Sequence, residues 1–274
     1  MDPGAYSGNV YGRGVELHHE IAGSGGTVVL IHEGIADSGM WDAQWPSYTE
    51  RFRTLRYDMR GFGRSPLRPE AFSHGQDLLQ LLDSLGIDRA ALVGVSMGAR
   101  VALEVTLARP QLVSALVLVG AAMPAEGWSQ AVRSYGAEEG RLVEAGDLDA
   151  AAELTVRFWV DGVGRGPEDV DAEVRRKVSE MQRRAYEHWL DVGDAAEERE
   201  LVEDAGTRAS EVRAPTLIVV GEHDQADCND TAERLGREIP GARLERMAAT
   251  AHAPSMERPE AFDALVVPFL AEHA

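Results

Sequence analysis

The sequence predicts an α/β fold in which a mostly parallel central sheet is flanked by helices and interrupted late in the chain by an inserted block of helices. Three observations carry this. Short apolar runs recur at 27–32 (TVVLIH), 54–57 (TLRY), 90–95 (AALVGV), 114–120 (SALVLVG) and 216–221 (TLIVVG). Their nearly continuous apolar character suits strands buried on both faces of a parallel sheet. Between them, residues 75–85 and 97–108 place apolar side chains at helical spacing, and strand–helix alternation implies right-handed crossovers. Finally, no strand-like run occurs between residues 124 and 213.

In chain order, residues 15–21 alternate in polarity and are expected as an antiparallel edge strand. The apolar runs above then supply the inner strands. The stretch 124–213 is rich in Ala, Glu, Arg and Leu, as in 148–159 and 171–190, and is predicted helical. The strand pattern resumes at Pro215, followed by an apolar/charged alternation at 242–247 and a helical stretch at 259–270. A helical insert between two strands of one sheet is expected to cap the sheet's C-terminal edge. The predicted organisation is therefore a core domain of residues 1–123 and 214–274 and a cap domain of residues 124–213.

A chain of 274 residues is long enough for one large core or a core with a smaller inserted unit. Hydrophobic content of 44% and charged content of 27% are ordinary for a globular protein. The formal net charge of −19 argues against nucleic acid and anionic membrane surfaces as partners, since both repel an acidic protein. About half of that charge falls in the predicted cap. Lys177 is the sole lysine, and no Gly-Lys-Ser/Thr phosphate loop occurs. The single cysteine, Cys228, can form no internal disulfide and no cysteine-based zinc site, which fits a reducing compartment. The first residues, MDPGAY, show no basic-then-apolar leader, and no apolar run approaches the ~18–20 residues that span a bilayer. A cytoplasmic protein acting on a small molecule, as a monomer or homodimer, is expected.

The chemistry starts at Ser96, within Gly94-Val95-Ser96-Met97-Gly98. With 28 glycines in the chain, the pentapeptide alone is a weak signal. Its context strengthens it. A strand before and a helix after make a tight turn that holds the serine hydroxyl out above the sheet edge, and the flanking glycines give the crowded backbone room. The helix N-terminus beneath favours developing negative charge.

A serine hydroxyl needs a base. His252, in Thr250-Ala251-His252-Ala253-Pro254, lies in a loop among small and polar residues with no evident packing role. Asp224, closing Gly221-Glu222-His223-Asp224 directly after the 216–221 run, is the favoured acid to orient it. Asp227 and Asp230 are nearby competitors that read as solvated loop acids, and the segment after 114–120 offers no carboxylate. One backbone N–H for an oxyanion should come from Met97, the residue after the serine. The other should come from the loop His32-Glu33-Gly34-Ile35-Ala36-Asp37. His32 itself reads as a hydrogen-bonded scaffold residue.

Taken together, these segments resemble the capped α/β-hydrolases over essentially the whole chain. His32-Glu33-Gly34 with Trp41 resembles the oxyanion loop. Asp58-Met59-Arg60-Gly61-Phe62-Gly63-Arg64-Ser65 resembles the turn after the next strand, and Glu257-Arg258-Pro259 the segment after the histidine. The resemblance implies Ser96, Asp224 and His252 as the catalytic triad and Met97 and Gly34 as oxyanion donors, with neither cofactor nor metal. It is closest to the esterase, lactonase and perhydrolase group, enol-lactone hydrolases included. Relatives with aspartate at the elbow are excluded, because Ser96 cannot form their alkyl-ester intermediate.

The usual His-Gly of the family is His32-Glu33 here, with the glycine one place later. The Glu33 carboxylate is expected as a solvated loop acid, with pocket lining as the alternative. The cap aromatics Trp128, Phe158, Trp159, Tyr186 and Trp189 are candidates for the substrate pocket or for packing the cap onto the core. The expected reaction is hydrolysis of a carboxylic ester or lactone of a small, partly apolar molecule. The same triad would also serve a cyclase, an eliminase or a carbon–carbon hydrolase, and a non-catalytic small-molecule receptor is the remaining reading.

Overall fold

The computed structural model describes residues 6–12, 15–123 and 127–274. Its strands are β1 (Tyr6–Gly12), β2 (Val15–Ala22), β3 (Thr27–Ile31), β4 (Arg53–Tyr57), β5 (Ala71–Phe72), β6 (Ala90–Val95), β7 (Val113–Val119), β8 (Glu197–Glu198), β9 (Thr216–Gly221) and β10 (Arg243–Met247). Eight of them form one sheet in the order β1-β2-β4-β3-β6-β7-β9-β10. Only the β1–β2 and β2–β4 pairings are antiparallel; every pairing from β4 to β10 is parallel. The α/β expectation therefore holds, with one correction. The alternating segment 15–21 is an antiparallel strand but not the edge, because β1 pairs along its outer side. The Gly- and Asn-containing sequence of β1, YSGNVYG, carries no apolar run that would have announced it.

The central strands are apolar because both of their faces are covered. Every residue of β6, β7 and β9 is buried. The helices that cover them are α1 (Trp45–Thr49), α2 (His74–Ser84), α3 (Met97–Ala108), α7 (Ala226–Glu238), α8 (Pro254–Glu257) and α9 (Pro259–His273). The apolar stripe of α2, formed by Leu78, Leu79, Leu81 and Leu82, faces inward, and Ser73 caps its start by accepting from Gln76 N at 3.3 Å.

Between β7 and β9 the chain forms α4 (Gln130–Glu144), α5 (Leu148–Thr155) and α6 (Ala172–Val192). Ser129, Asp147 and Asp171 cap these three helices. After α5 the helix widens over Val156–Asp161 and ends at Gly162, whose φ of +74° is open to glycine at little cost. The prediction of helices here is met, but the stretch is not strand-free: β8 pairs in parallel with β5. Among the described residues no helix is long and apolar enough to cross a membrane.

Candidate active site

The ends of β3, β6 and β9 bring the key side chains to one edge of the sheet. At the β6–α3 turn, Ser96 has φ +52° and ψ −112°, a backbone conformation that L-residues rarely adopt. The crowding explains the flanking glycines. A Cβ on Gly94 would lie 2.2 Å from Gly98 O, and one on Gly98 would lie 2.5 Å from the carbonyl oxygens of Ile31 and His32. A side chain at Gly94 would push the start of α3 off β6, and one at Gly98 would push it off the end of β3. Among the described residues the Ser96 hydroxyl makes no hydrogen bond within the protein, which leaves it available to a ligand.

Asp224 follows β9 and His252 follows β10. His252 Nδ1 lies 2.9 Å from Asp224 Oδ1 and 3.0 Å from Oδ2, and both side chains are almost fully buried. Gln225 N–H also donates to Asp224 Oδ1, at 2.8 Å. Burial alone would lower the His252 pKa, but the Asp224 carboxylate outweighs it and holds the imidazole above its ordinary value of 6.5. The ring lies 4.4 Å from the Trp159 ring, and its backbone N–H donates to Trp159 O. The loop is anchored below, where Ala251 N–H donates to Glu257 Oε1 at 2.7 Å and Glu257 Oε2 pairs with Arg165 at 2.7 Å. Of the competing acids, Asp227 lies in the first turn of α7 and is mostly buried, accepting from Ser129 N–H at 2.8 Å. It is a docking acid for the start of α4 rather than a solvated one.

Met97 is the first residue of α3, so helix geometry leaves its N–H without an intrahelical acceptor. Gly34 lies beside it: a Cβ on Gly34 would sit 3.6 Å from Met97 Cβ. The loop that carries Gly34 is held by the turn after β4. Ser38 N–H and Arg64 N–H donate to the two Asp58 carboxylate oxygens, each at 2.9 Å. Met59 N–H donates to His32 Nε2 at 2.8 Å, and His32 Nδ1 meets Glu33 O at 2.8 Å. The Met59 contact fixes Nε2 as the acceptor and so places the ring proton on Nδ1. His32 is thus part of the scaffold, as its sequence setting suggested.

Glu33 departs from expectation. It is not a solvated loop acid: it is fully buried, and neither carboxyl oxygen has a hydrogen-bond partner among the described residues. It lies just past β3, one of the inner strands of the sheet. Burial pushes its pKa up to about 8; His252 opposes this, and Asp224 and Glu257 add to it. At neutral pH the group is therefore mostly a neutral acid.

Ser96 and His252 line one cavity of about 330 Å³ together with Gly34, Trp159, Tyr186 and Trp189. Two candidate pocket aromatics lie elsewhere. Trp128 is 39% exposed and borders a separate cavity with Arg100 and Arg234. Phe158 stacks on Tyr135 at 4.5 Å, one layer behind the cavity wall. Ile35, Phe62, Tyr135, Glu139 and Gln182 also line the cavity and were not singled out by sequence. Phe62 and Ile35 lie within motif loops that were recognised, whereas the other three lie on helices with nothing in the local pattern to mark them.

Asp224, Cys228 and His252 offer ligand atoms within 4.8 Å of one another, as a metal site would. Burial pushes the Cys228 thiol well above its ordinary value, so the thiol stays protonated. His252 Nδ1 is already engaged by Asp224. The trio is better matched to holding a proton than to holding a cation.

Comparison with known proteins agrees with this fold. The sequence profile of the alpha/beta hydrolase fold family matches residues 27–259. RutD of Klebsiella pneumoniae (strain 342), named as a candidate carbamate hydrolase, is 30% identical over 260 residues, covering 90% of this chain and 92% of its own. The enol-lactonase of Burkholderia xenovorans LB400 is 25% identical with a TM-score of 0.77, over 96% of this chain and 99% of that one. An esterase of Thermogutta terrifontis shares the fold at a TM-score of 0.81 and 24% identity, over 98% of this chain and 100% of that one.

Proposed function

The chain belongs to the alpha/beta hydrolase fold family, and from that premise we propose that it is a serine hydrolase cleaving a carboxylic ester or lactone of a small, partly apolar molecule. The observation that carries this is the Asp224–His252 pair at 2.9 Å, with His252 opening on the cavity that holds Ser96 at its strained turn. A buried Asp–His pair that lines the same cavity as the serine supports reading that hydroxyl as the nucleophile, with His252 Nε2 meeting it once substrate is bound.

In this reading His252 Nε2 takes the Ser96 proton as Oγ attacks the carbonyl carbon. Asp224 holds Nδ1–H and stabilises the imidazolium. The carbonyl electron pair moves onto oxygen, where the N–H groups of Met97 and Gly34 receive it. Collapse expels the alkoxide, which takes the proton from His252 and leaves an acyl-enzyme on Ser96. Water then repeats the sequence: His252 deprotonates it, it attacks the acyl carbon, and Ser96 recovers its proton as the acid departs. The neutral state of buried Glu33 matters here, because a fixed negative charge next to Gly34 would oppose the oxyanion. The names of the relatives support a carbonyl bearing a heteroatom leaving group, which esters, enol-lactones and carbamates share.

We read the helices between β7 and β9 as a cap, since Tyr135, Trp159, Gln182, Tyr186 and Trp189 all reach the Ser96 cavity from them. Ser96→Ala should abolish hydrolysis of p-nitrophenyl acetate and labelling by a fluorophosphonate. Full activity in that variant would end the proposal.

A further inference from the structure

The cavity wall formed by the helices after β7 is built to accept hydrogen bonds and positive charge. Glu139 Oε1 receives Tyr135 OH at 2.7 Å and Tyr186 OH at 2.5 Å, and Thr155 Oγ lies 3.3 Å away. Thr155 also bridges the two phenols, at 3.0 Å and 2.8 Å. Burial raises both tyrosine pKa values, so both keep their protons and donate. All of these bonds converge on one carboxylate oxygen. Among the described residues no bond reaches Oε2, and no cationic side chain pairs with Glu139.

A second observation concerns the side chain beside this network that hydrogen-bonds Tyr186. Gln182 is 5% exposed and lines the same cavity, and its carbonyl oxygen Oε1 has no partner. An unmatched acceptor such as Gln182 Oε1, buried in a cavity wall, is costly unless a ligand supplies a donor. The rest of the lining points the same way. It contains five aromatic rings, those of Phe62, Tyr135, Trp159, Tyr186 and Trp189, and no lysine or arginine among the described residues. Aromatic faces beside a single carboxylate make the chemistry of an alkylammonium site. The net charge of −19 would draw such cations toward the protein.

We propose that Glu139 and Gln182 form a recognition subsite for an alkylammonium group, so that the substrate is an ester or lactone carrying a protonated amine. This rests on the reading of the cavity as the substrate site of a Ser96 hydrolase. Thr155 and the two tyrosines act as positioning residues that fix Oε1 and turn Oε2 toward the ligand's side of the network.

The test is calorimetric binding of n-butylammonium and of n-pentanol, a neutral probe of similar length, to the wild-type protein and to Glu139→Gln. The amine should bind at least ~10-fold more tightly than the alcohol, as a charge-assisted bond implies. Glu139→Gln should erase the difference by weakening amine binding at least ~10-fold. Equal binding of the two probes to wild type overturns the proposal, as does a preference that survives Glu139→Gln. The wild-type comparison is decisive even if the variant does not fold. A parallel assay with p-nitrophenyl hexanoate separates the two readings. Turnover of this neutral ester without amine preference removes the subsite and keeps the hydrolase. Amine preference with neither turnover nor fluorophosphonate labelling of Ser96 keeps the subsite and removes the hydrolase.

Discussion

Replacing Glu33 by glutamine keeps the shape of the side chain and removes its titration. Glu33 is fully buried, and its pKa rises from an ordinary 4.5 to about 8. A folded-state pKa above the unfolded one favours the folded protein most below about 4.5, and that advantage is lost as the pH rises through about 8. Each pH unit of differential proton binding is worth about 1.36 kcal/mol. Between pH 5.5 and pH 7.5 the folded state holds nearly one more proton at this site than the unfolded state, so the wild type should lose about 2–3 kcal/mol relative to Glu33→Gln. His252, Asp224 and Glu257, the titratable groups that face Glu33, are common to both proteins, and so is Arg165, paired with Glu257. Their own titrations largely cancel in the comparison. Urea denaturation of both proteins at the two pH values, followed by tryptophan fluorescence, measures the difference directly. A wild-type-minus-variant difference that does not change with pH would refute the reasoning, because it would mean that Glu33 does not exchange a proton on unfolding.

Other outcomes follow from the same geometry. Hydrolysis of a p-nitrophenyl ester should decline as the pH falls through a midpoint above 6.5, because Asp224 raises the His252 pKa and the reaction needs the neutral ring. Asp224→Asn should shift that midpoint down and reduce kcat by about 10⁴-fold, read from the same pH profile. Gly98→Ala should lower stability by about 1–3 kcal/mol or more in a thermal melt, because its Cβ would meet two backbone oxygens at 2.5 Å. Asp77→Ala should cost about 1–3 kcal/mol by urea denaturation, since Arg60 loses two bonds of 2.9 Å to the Asp77 carboxylate but keeps its pair with Glu70.

What could be read before the structure, and what could not, divides along physical lines. The strands at the sheet centre were legible because burial on both faces demands unbroken apolar sequence, as in β6 and β9. Edge strand β1 and the two-residue pairs β5 and β8 follow from tertiary pairing rather than from composition. At the site, Ser96, Asp224 and His252 were legible because strand ends place them at fixed points in chain order, and the structure does bring Asp224 and His252 into contact. Glu33 was misread because an acidic residue in a loop is ordinarily solvated, and only the packing around β3 shows otherwise. Trp128 and Trp189 look alike in sequence, yet one borders a distant cavity and the other the Ser96 cavity. Which face of a helical excursion meets the core is decided by its docking, and the polar lining of Tyr135, Glu139 and Gln182 was invisible for the same reason.

The helical excursion is fastened at both roots. At its start Ser129 N–H is held by Asp227, three residues beyond Asp224. At its end β8 pairs with β5, Arg199 N–H donates to Phe72 O at 2.7 Å, and Glu198 pairs with Arg100, on the helix that begins directly after Ser96. These ties oppose displacement of the helices, which lowers the share of a small ligand's affinity spent on ordering the chamber. A long, flexible hinged lid would make binding cooperative with closure; this architecture instead ties selectivity to the shape and polarity of a standing room.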